Sequence, residues 1–267
     1  MPKCFIVAEC GVNWSGDPTK AKIMIDQAKR AGADAVKFQA FTSEQVRDHP
    51  RYKDLERCSI TLGVARELIR FSRERGIDWF CTPMYLGAVD MLRALGVTRF
   101  KIRYRDWMAS QPMFKDPTDL LSDPTKAQEA KEAVEAKTLI DACIKYGKEV
   151  FISCERPSYD LEYSSLPHVK WLYATPKYPF PMSSFNPSRA FMFNGISDHC
   201  PGFLATLTAA TVAFSRGEER FIVEKHFTLD HKNKDIDDNV SLDPQEFKMM
   251  VGQLRTLEEM NWKVDYT

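Results

Sequence analysis

The segment Ala31-Gly32-Ala33-Asp34-Ala35-Val36-Lys37-Phe38-Gln39 decides how the chain is read. An amphipathic stretch ends at Gly32, where a left-handed helix cap costs glycine nothing, and a short apolar run begins at Ala35. Upstream, Asp17 can cap a helix over residues 18–31 with Pro18 in its first position, and Ile23, Met24, Ala28 and Ala31 form the apolar stripe. Residues 4–8 precede it as a first strand, so the unit is strand, helix, strand. The same joint recurs at Gly76, Gly96, Gly147 and Gly217. In all, the runs at 4–8, 35–39, 79–81, 100–102, 150–153, 171–174, 195–197 and 221–223 predict eight strands. Helices are predicted over 18–31, 62–75, 87–95, 125–146 and 202–215. Strands alternating with helices imply a parallel sheet, and 267 residues suits one closed (β/α)8, or TIM, barrel over residues 1–267. An open doubly wound sheet is the competing architecture, but no Gly-x-Gly-x-x-Gly follows the first strand.

Two places break the rhythm. Some forty residues between Asp106 and Lys148, punctuated by Pro112, Pro117 and Pro124, stand where one helix would do, which predicts an insertion after strand four. The segment 155–168 is rich in Pro and Ser and too short for a confident helix. With apolar residues at 44% the chain can bury a core, and its 37 basic and 37 acidic residues cancel, which argues against a nucleic-acid or anionic-membrane face. No apolar run reaches the roughly 18 residues of a membrane span. Seven scattered cysteines, without a Cys-x-x-Cys pair or a signal-peptide core before them, predict free thiols in the cytoplasm.

A barrel keeps its chemistry at the C-terminal ends of its strands. There the chain places Glu9, Lys37 with Gln39, Thr82, Lys101 followed by Arg103, Arg105 and Asp106, then Ser153, Lys177 with Tyr178, Ser197 to His199, and Glu224 to His226. A strand buried on both faces pays heavily for an unpaired charge, so such a ring implies a ligand or a metal. A lone strand-end histidine is more often structural. His199 and His226 end neighbouring strands and are flanked by Asp198 and Glu224, which favours a metal, and two imidazoles among oxygen ligands suit Mn²⁺ or Mg²⁺ better than closed zinc. His49, His168 and His231 read as solvated. Lys37, Lys101, Arg103, Arg105 and Lys225 form a basic rim suited to a small anion; a Schiff base is the other use of a barrel lysine.

These residues carry a resemblance. The segments Ile6-Val7-Ala8-Glu9-Cys10-Gly11-Val12-Asn13, Ala31 to Gln39, Cys81-Thr82-Pro83, Gly195-Ile196-Ser197-Asp198-His199, Val223-Glu224-Lys225-His226-Phe227-Thr228-Leu229-Asp230 and Ser241-Leu242-Asp243-Pro244-Gln245-Glu246-Phe247 resemble, in order, the sialic acid synthase (N-acetylneuraminate synthase) family. The resemblance implies a barrel that condenses phosphoenolpyruvate with an N-acetylated aldose, N-acetylmannosamine or a related sugar, giving a nine-carbon 2-keto acid and phosphate. It implies that Lys37, Thr82, Lys101, Ser153 and Ser197 hold phosphoenolpyruvate, and that His199 and His226 hold Mn²⁺ or Mg²⁺. It further implies catalytic roles for Glu9, Asp106, Glu224 and Asp237, with Gln39 and Tyr178 on the sugar side.

The departures matter as well. Trp14 stands where the family has a histidine, near the expected sugar. Lys101-Ile102-Arg103-Tyr104-Arg105-Asp106 replaces Lys-Ile-Ala-Ser-Gly-Asp, so two arginines arrive where a small serine loop would lie, to serve the phosphate or to block it. Ser153-Cys154-Glu155-Arg156 replaces Ser-Thr-Gly-Met. The resemblance covers the catalytic barrel only, without the family's C-terminal antifreeze-like domain; a homodimer, or a separate chain supplying the lid, is the corresponding expectation. The competing readings are another metal-dependent lyase or isomerase acting on a phosphorylated sugar, and a non-catalytic sugar-acid-binding homologue.

Overall fold

The computed structural model of the chain describes residues 1–111, 124–155 and 163–262. Eight parallel strands close into a barrel: β1 (Lys3–Gly11), β2 (Ala35–Ala40), β3 (Asp78–Pro83), β4 (Arg99–Ile102), β5 (Glu149–Cys154), β6 (Val169–Tyr173), β7 (Gly195–Asp198) and β8 (Arg220–Phe227). They pair in sequence order, and β8 returns to β1 from Lys3↔Arg220 to Glu9↔His226. A two-residue strand, β9 (Ser241–Leu242), adds to the end of β8 through His226↔Ser241. The (β/α)8 expectation is borne out.

The helices follow the predicted joints: α1 (Pro18–Arg30), α3 (Leu62–Arg75), α4 (Leu86–Ala94), α6 (Pro124–Tyr146) and α8 (Leu204–Ser215), with short α2 (Tyr52–Leu55), α5 (Tyr104–Ser110) and α7 (Pro187–Ala190) between them. Asp17 caps α1 by accepting from Thr19 N at 2.8 Å. The buried stripe of α1 is Ala21, Met24, Ile25 and Ala28; Ile23, predicted to be buried, is 47% exposed because it sits a quarter-turn off that stripe. Four of the five joint glycines have positive φ, whereas Gly147 is needed for space: a Cβ there would lie 2.6 Å from Val150 Cγ2 and 2.7 Å from the Cys143 carbonyl oxygen. The insertion expected after β4 lies partly outside the described residues, as does the segment 155–168.

A last helix, α9 (Pro244–Glu259), was not predicted, although Asp243-Pro244-Gln245-Glu246 carries its signature. Asp243 accepts from the Glu246 backbone while the Glu246 side chain accepts from the Asp243 backbone, a capping box with proline in the first turn. Its Phe247, Met250 and Leu254 are buried, and Glu258 accepts from Cys4 N at 2.7 Å, tying the helix to the start of β1.

Strand alternation stacks the barrel interior in layers. Arg99 and Glu149 pair at 2.7 Å at the N-terminal end, with Arg220 also on Glu149. Above them the rings of Phe5, Phe80 and Phe151 meet edge to face, Phe151 lying 6.2 Å from Phe5 and 5.7 Å from Phe80. Two residues beyond Phe80, Arg99 and Phe151 come Thr82, Lys101 and Ser153. The aromatic layer closes the barrel below, so anything polar above it opens only toward the C-terminal mouth.

Candidate active site

Above the plug lies a cavity of about 360 Å³, in the range of small-molecule sites. Its floor is built by one irregularity in β1. The β1–β2 register runs Glu9↔Lys37 and then Gly11↔Phe38, so Cys10 is extra and the bulge turns the strand end. Gly11 takes φ +49°, and a Cβ there would lie 3.1 Å from Asp237 Oδ2 and 3.3 Å from both Gln39 Nε2 and Glu9 Oε1. Only a bare backbone lets these three polar side chains approach one another.

On this floor two carboxylates and two lysines interlock. Lys37 Nζ lies 2.7 Å from Glu9 Oε2, donates to Thr82 Oγ1 at 2.9 Å and is 3.8 Å from Glu224 Oε2. Lys101 Nζ is 3.2 Å from Glu224 Oε1, which also accepts from Ser197 Oγ at 2.7 Å, and Gln39 Nε2 donates to Glu9 Oε1 at 2.7 Å. All four charged groups are at least 97% buried. Burial opposes ionisation of Glu224, but Lys101, Lys37 and the Ser197 hydroxyl outweigh it and hold the carboxyl at about 2. Glu9 goes the other way, raised by burial and by the Glu224 charge against the pull of Lys37. Burial also opposes the charge on Lys37, yet Glu224 and Glu9 raise its pKa, while burial lowers that of Lys101. An amine held charged in this way suits anion binding better than a Schiff base.

At one side of the mouth, His199 and His226 stand with ring centroids 5.5 Å apart, and the Tyr178 ring lies 4.9 Å from His199. Phe180 N donates to the His199 carbonyl at 2.9 Å, fixing the loop that carries Tyr178. Burial and the Lys101 charge hold His199 at about 4, and burial with the neighbouring His199 holds His226 well below its ordinary value. Both imidazoles are therefore neutral at neutral pH. The buried Nδ1 of His226 has no hydrogen-bond partner, and Asp237 Oδ2 lies 3.4 Å away. Two neutral imidazoles, one with an uncommitted buried nitrogen, and an adjacent carboxylate are the donor types that a divalent cation completed by oxygen ligands takes.

The cavity brings together Glu9, Glu224, Asp237, Lys37, Gln39, Thr82, Lys101, Ser153, Tyr178, Ser197, His199 and His226. Asp106 is not among the lining residues. It holds Arg103 in a two-point ion pair at 2.7 and 2.6 Å, so the arginine, and not the acid, reaches the cavity. Two further expectations are corrected by strand alternation. With Glu224 and His226 inward, Lys225 points outward; its amine bonds the Cys200 carbonyl and lies 3.5 Å from Asp198 Oδ2, so it is no part of the basic rim. Asp198 likewise faces out, accepting from Cys200 N and Thr206 Oγ1 at 2.7 Å each, and does not flank the metal candidates. Together these groups brace the turn that presents His199.

Trp14, expected near the sugar, is 1% exposed and packs edge to face on Phe38. The neighbouring Asn13 has the role that sequence reasoning missed: it donates to the Phe227 carbonyl at 3.0 Å and to Ser241 Oγ at 2.9 Å, and accepts from Asp237 N at 3.0 Å. His49 lies in an exposed loop as expected, yet borders the cavity mouth. His168 is half-buried, its Nε2 3.2 Å from the Ile144 carbonyl oxygen. His231 is also half-buried, between Asp238 at 2.8 Å and Glu246 at 2.9 Å. Among the described residues, His231, Asp243 and Glu246 are the trio whose ligand atoms all lie within 4.8 Å of one another. That trio is outside the cavity, and its two acids already cap α9.

A profile of the NeuB family matches residues 24–117 and 127–265. The chain belongs to the NeuB family. The N,N'-diacetyllegionaminic acid synthase of Campylobacter jejuni is 27% identical over 282 residues, covering 97% of this chain and 78% of that protein. Human N-acetylneuraminate-9-phosphate synthase is 25% identical, over 96% of this chain and 70% of its own length. The crystal structure of an N-acetylneuraminic acid synthetase from Leptospira borgpetersenii superposes with a TM-score of 0.76 at 26% identity, covering 97% of this chain and 85% of that one. This NeuB-family chain is accordingly an enzyme of the sialic-acid-synthase type, a carbon–carbon-bond-forming transferase.

Proposed function

We propose that this chain condenses phosphoenolpyruvate with an N-acetylated aldose, N-acetylmannosamine or a related amino sugar, with Mn²⁺ or Mg²⁺ present, to give a nine-carbon 2-keto sugar acid and phosphate. The observation that carries the reading is the split pair of buried carboxyls on a lysine-lined floor beside two neutral imidazoles. His199 and His226 would hold the cation, which supplies Lewis-acid polarisation of the sugar aldehyde. Phosphoenolpyruvate lies over Lys101, Ser153, Ser197 and Thr82, and Tyr178 and Gln39 border the sugar. The methylene carbon of phosphoenolpyruvate bonds to the aldehyde carbon, whose oxygen takes a proton. The former enol carbon becomes an oxocarbenium ion; water adds to it, and cleavage of its bond to the phosphate oxygen leaves the keto acid and phosphate. Glu224, held ionised, stabilises the positive charge at that carbon. Glu9, whose pKa is raised, takes the proton from the entering water, and two carboxyls driven apart in pKa by their surroundings are suited to such a division of labour. Asp237, which Asn13 holds beside His226, is assigned to the sugar hydroxyls, a reading its position at the cavity supports.

We place the enzyme in the cytoplasm, since its seven buried thiols form no disulfide. Among the described residues no helix is long and apolar enough to cross a membrane. The reading extends to a homodimer, or a separate chain, covering the open mouth; light scattering on the purified protein tests the dimer. The function itself is tested by phosphate release from phosphoenolpyruvate with Mn²⁺ across a panel of aldoses that includes N-acetylmannosamine and 2,4-diacetamido sugars. Release with one of them is expected, and tight Mn²⁺ binding without release for any sugar would overturn the assignment.

A further inference from the structure

Among the described residues, four lysines and arginines line the cavity: Lys37, Lys101, Arg103 and Arg105. Three are already committed to carboxylates, Lys37 to Glu9 at 2.7 Å, Lys101 to Glu224 at 3.2 Å and Arg103 to Asp106 at 2.6 Å. The floor is thus close to neutral in itself. Phosphoenolpyruvate brings a carboxylate and a phosphoryl group of about −1.5 to −2 charge at neutral pH. It needs a cation whose charge is not spent.

Arg105 is that cation. It is exposed at the cavity wall, just beyond the end of β4, and among the described residues its guanidinium has neither a carboxylate partner nor a hydrogen bond. A second, independent feature lies at the ends of the next two strands. Ser153 Oγ, 2% exposed at the end of β5, and Thr175 Oγ1, 9% exposed just beyond β6, both line the cavity and have no hydrogen-bond partner. Buried hydroxyls without partners are uncommon, because each forfeits its bond to water. Two of them lining the same cavity as a guanidinium with no partner among the described residues offer donors that lack an acceptor, which is what a phosphoryl group supplies.

We propose that Arg105 holds the phosphoryl group of phosphoenolpyruvate, with Ser153 and Thr175 donating to its oxygens, an inference that rests on the phosphoenolpyruvate-dependent reading above. The Arg103-Tyr104-Arg105 segment, which departs from the small serine loop of the family it resembles, then serves the phosphate: the charge of Arg103 is answered by Asp106, and Arg105 is left to act. The carboxylate end of the substrate is left to the lysines of the floor.

The test uses the full chain and its Arg105→Gln and Arg105→Lys variants. Calorimetry gives the phosphoenolpyruvate dissociation constant without sugar, and steady-state kinetics gives KM for each substrate separately. Since Arg105 is exposed and has no side-chain partner among the described residues, both variants are expected to keep the fold. Arg105→Gln is expected to weaken phosphoenolpyruvate roughly tenfold, the scale of one charge-assisted hydrogen bond, to leave KM for the sugar within about twofold, and to be partly rescued by lysine. Unchanged phosphoenolpyruvate affinity in Arg105→Gln, or a rise confined to the sugar KM, overturns the proposal. A parent protein that binds phosphoenolpyruvate but releases phosphate with no sugar sinks the synthase reading alone, because the binding comparison still decides Arg105. A parent that binds no phosphoenolpyruvate overturns both.

Discussion

Replacing Glu224 by glutamine keeps the shape of the side chain and removes the charge that Lys101 and Lys37 share. In the folded protein the carboxyl is held at about 2 against an ordinary 4.5, a displacement that corresponds to about 3 kcal/mol of stabilisation at neutral pH. Truncating one partner of a buried ion pair costs a similar amount, about 3 to 5 kcal/mol. For a chain of this length the unfolding entropy converts about 3 kcal/mol into a Tm lower by about 5 °C. Because the folded-state value lies below the ordinary one, the stabilisation is present above pH 4.5 and drains away as the pH falls through about 2. Wild type and Glu224→Gln should therefore differ most at neutral pH and converge in acid. Thermal unfolding followed by circular dichroism, at a series of pH values, measures the gap. Equal Tm values at neutral pH, or a gap that persists undiminished near pH 2, would refute the electrostatic account of the floor.

Three further outcomes are expected. His199→Ala and His226→Ala should each lose Mn²⁺ binding and phosphate release together, and unchanged turnover would remove the metal assignment. Gly11→Ala forces a left-handed residue, costing roughly 1–2 kcal/mol, and sets a methyl 3.1 Å from Asp237 Oδ2; kcat should fall more than stability alone explains, and an unaffected kcat would show that the bulge does not shape the site. Lys225→Met and Thr206→Val, which loosen the brace behind His199 without entering the cavity, should weaken Mn²⁺ binding with phosphoenolpyruvate affinity unchanged. Titration of free Mn²⁺ by electron paramagnetic resonance reads this, and wild-type affinity in a folded Thr206→Val protein would contradict the bracing role.

The barrel was legible because its joints are local: a glycine, a cap and an apolar run of strand length need no knowledge of distant contacts. The site residues were legible for a related reason, since a charged residue inside a strand covered on both faces has few places to go but the lumen. What failed was facing. Glu224, Lys225 and His226 are adjacent in sequence, and strict alternation would have separated Lys225 from the other two had the strand been continued past residue 223. Asp106 looked catalytic by position, yet its pairing with Arg103 depends on the first turn of α5, which the sequence did not mark. Trp14 was placed by analogy with a histidine, whereas the size of its ring suits burial on Phe38. The last helix was overlooked although its capping box was plain.

The measurement that bears most directly on the central claim is mass spectrometry of the products formed from phosphoenolpyruvate, N-acetylmannosamine or a 2,4-diacetamido sugar, and Mn²⁺ in heavy-oxygen water. The account predicts a nine-carbon keto acid carrying the solvent label and phosphate without it, because water adds at the former enol carbon and the bond broken is carbon to oxygen. Labelled phosphate, or pyruvate with the sugar unconsumed, would contradict it.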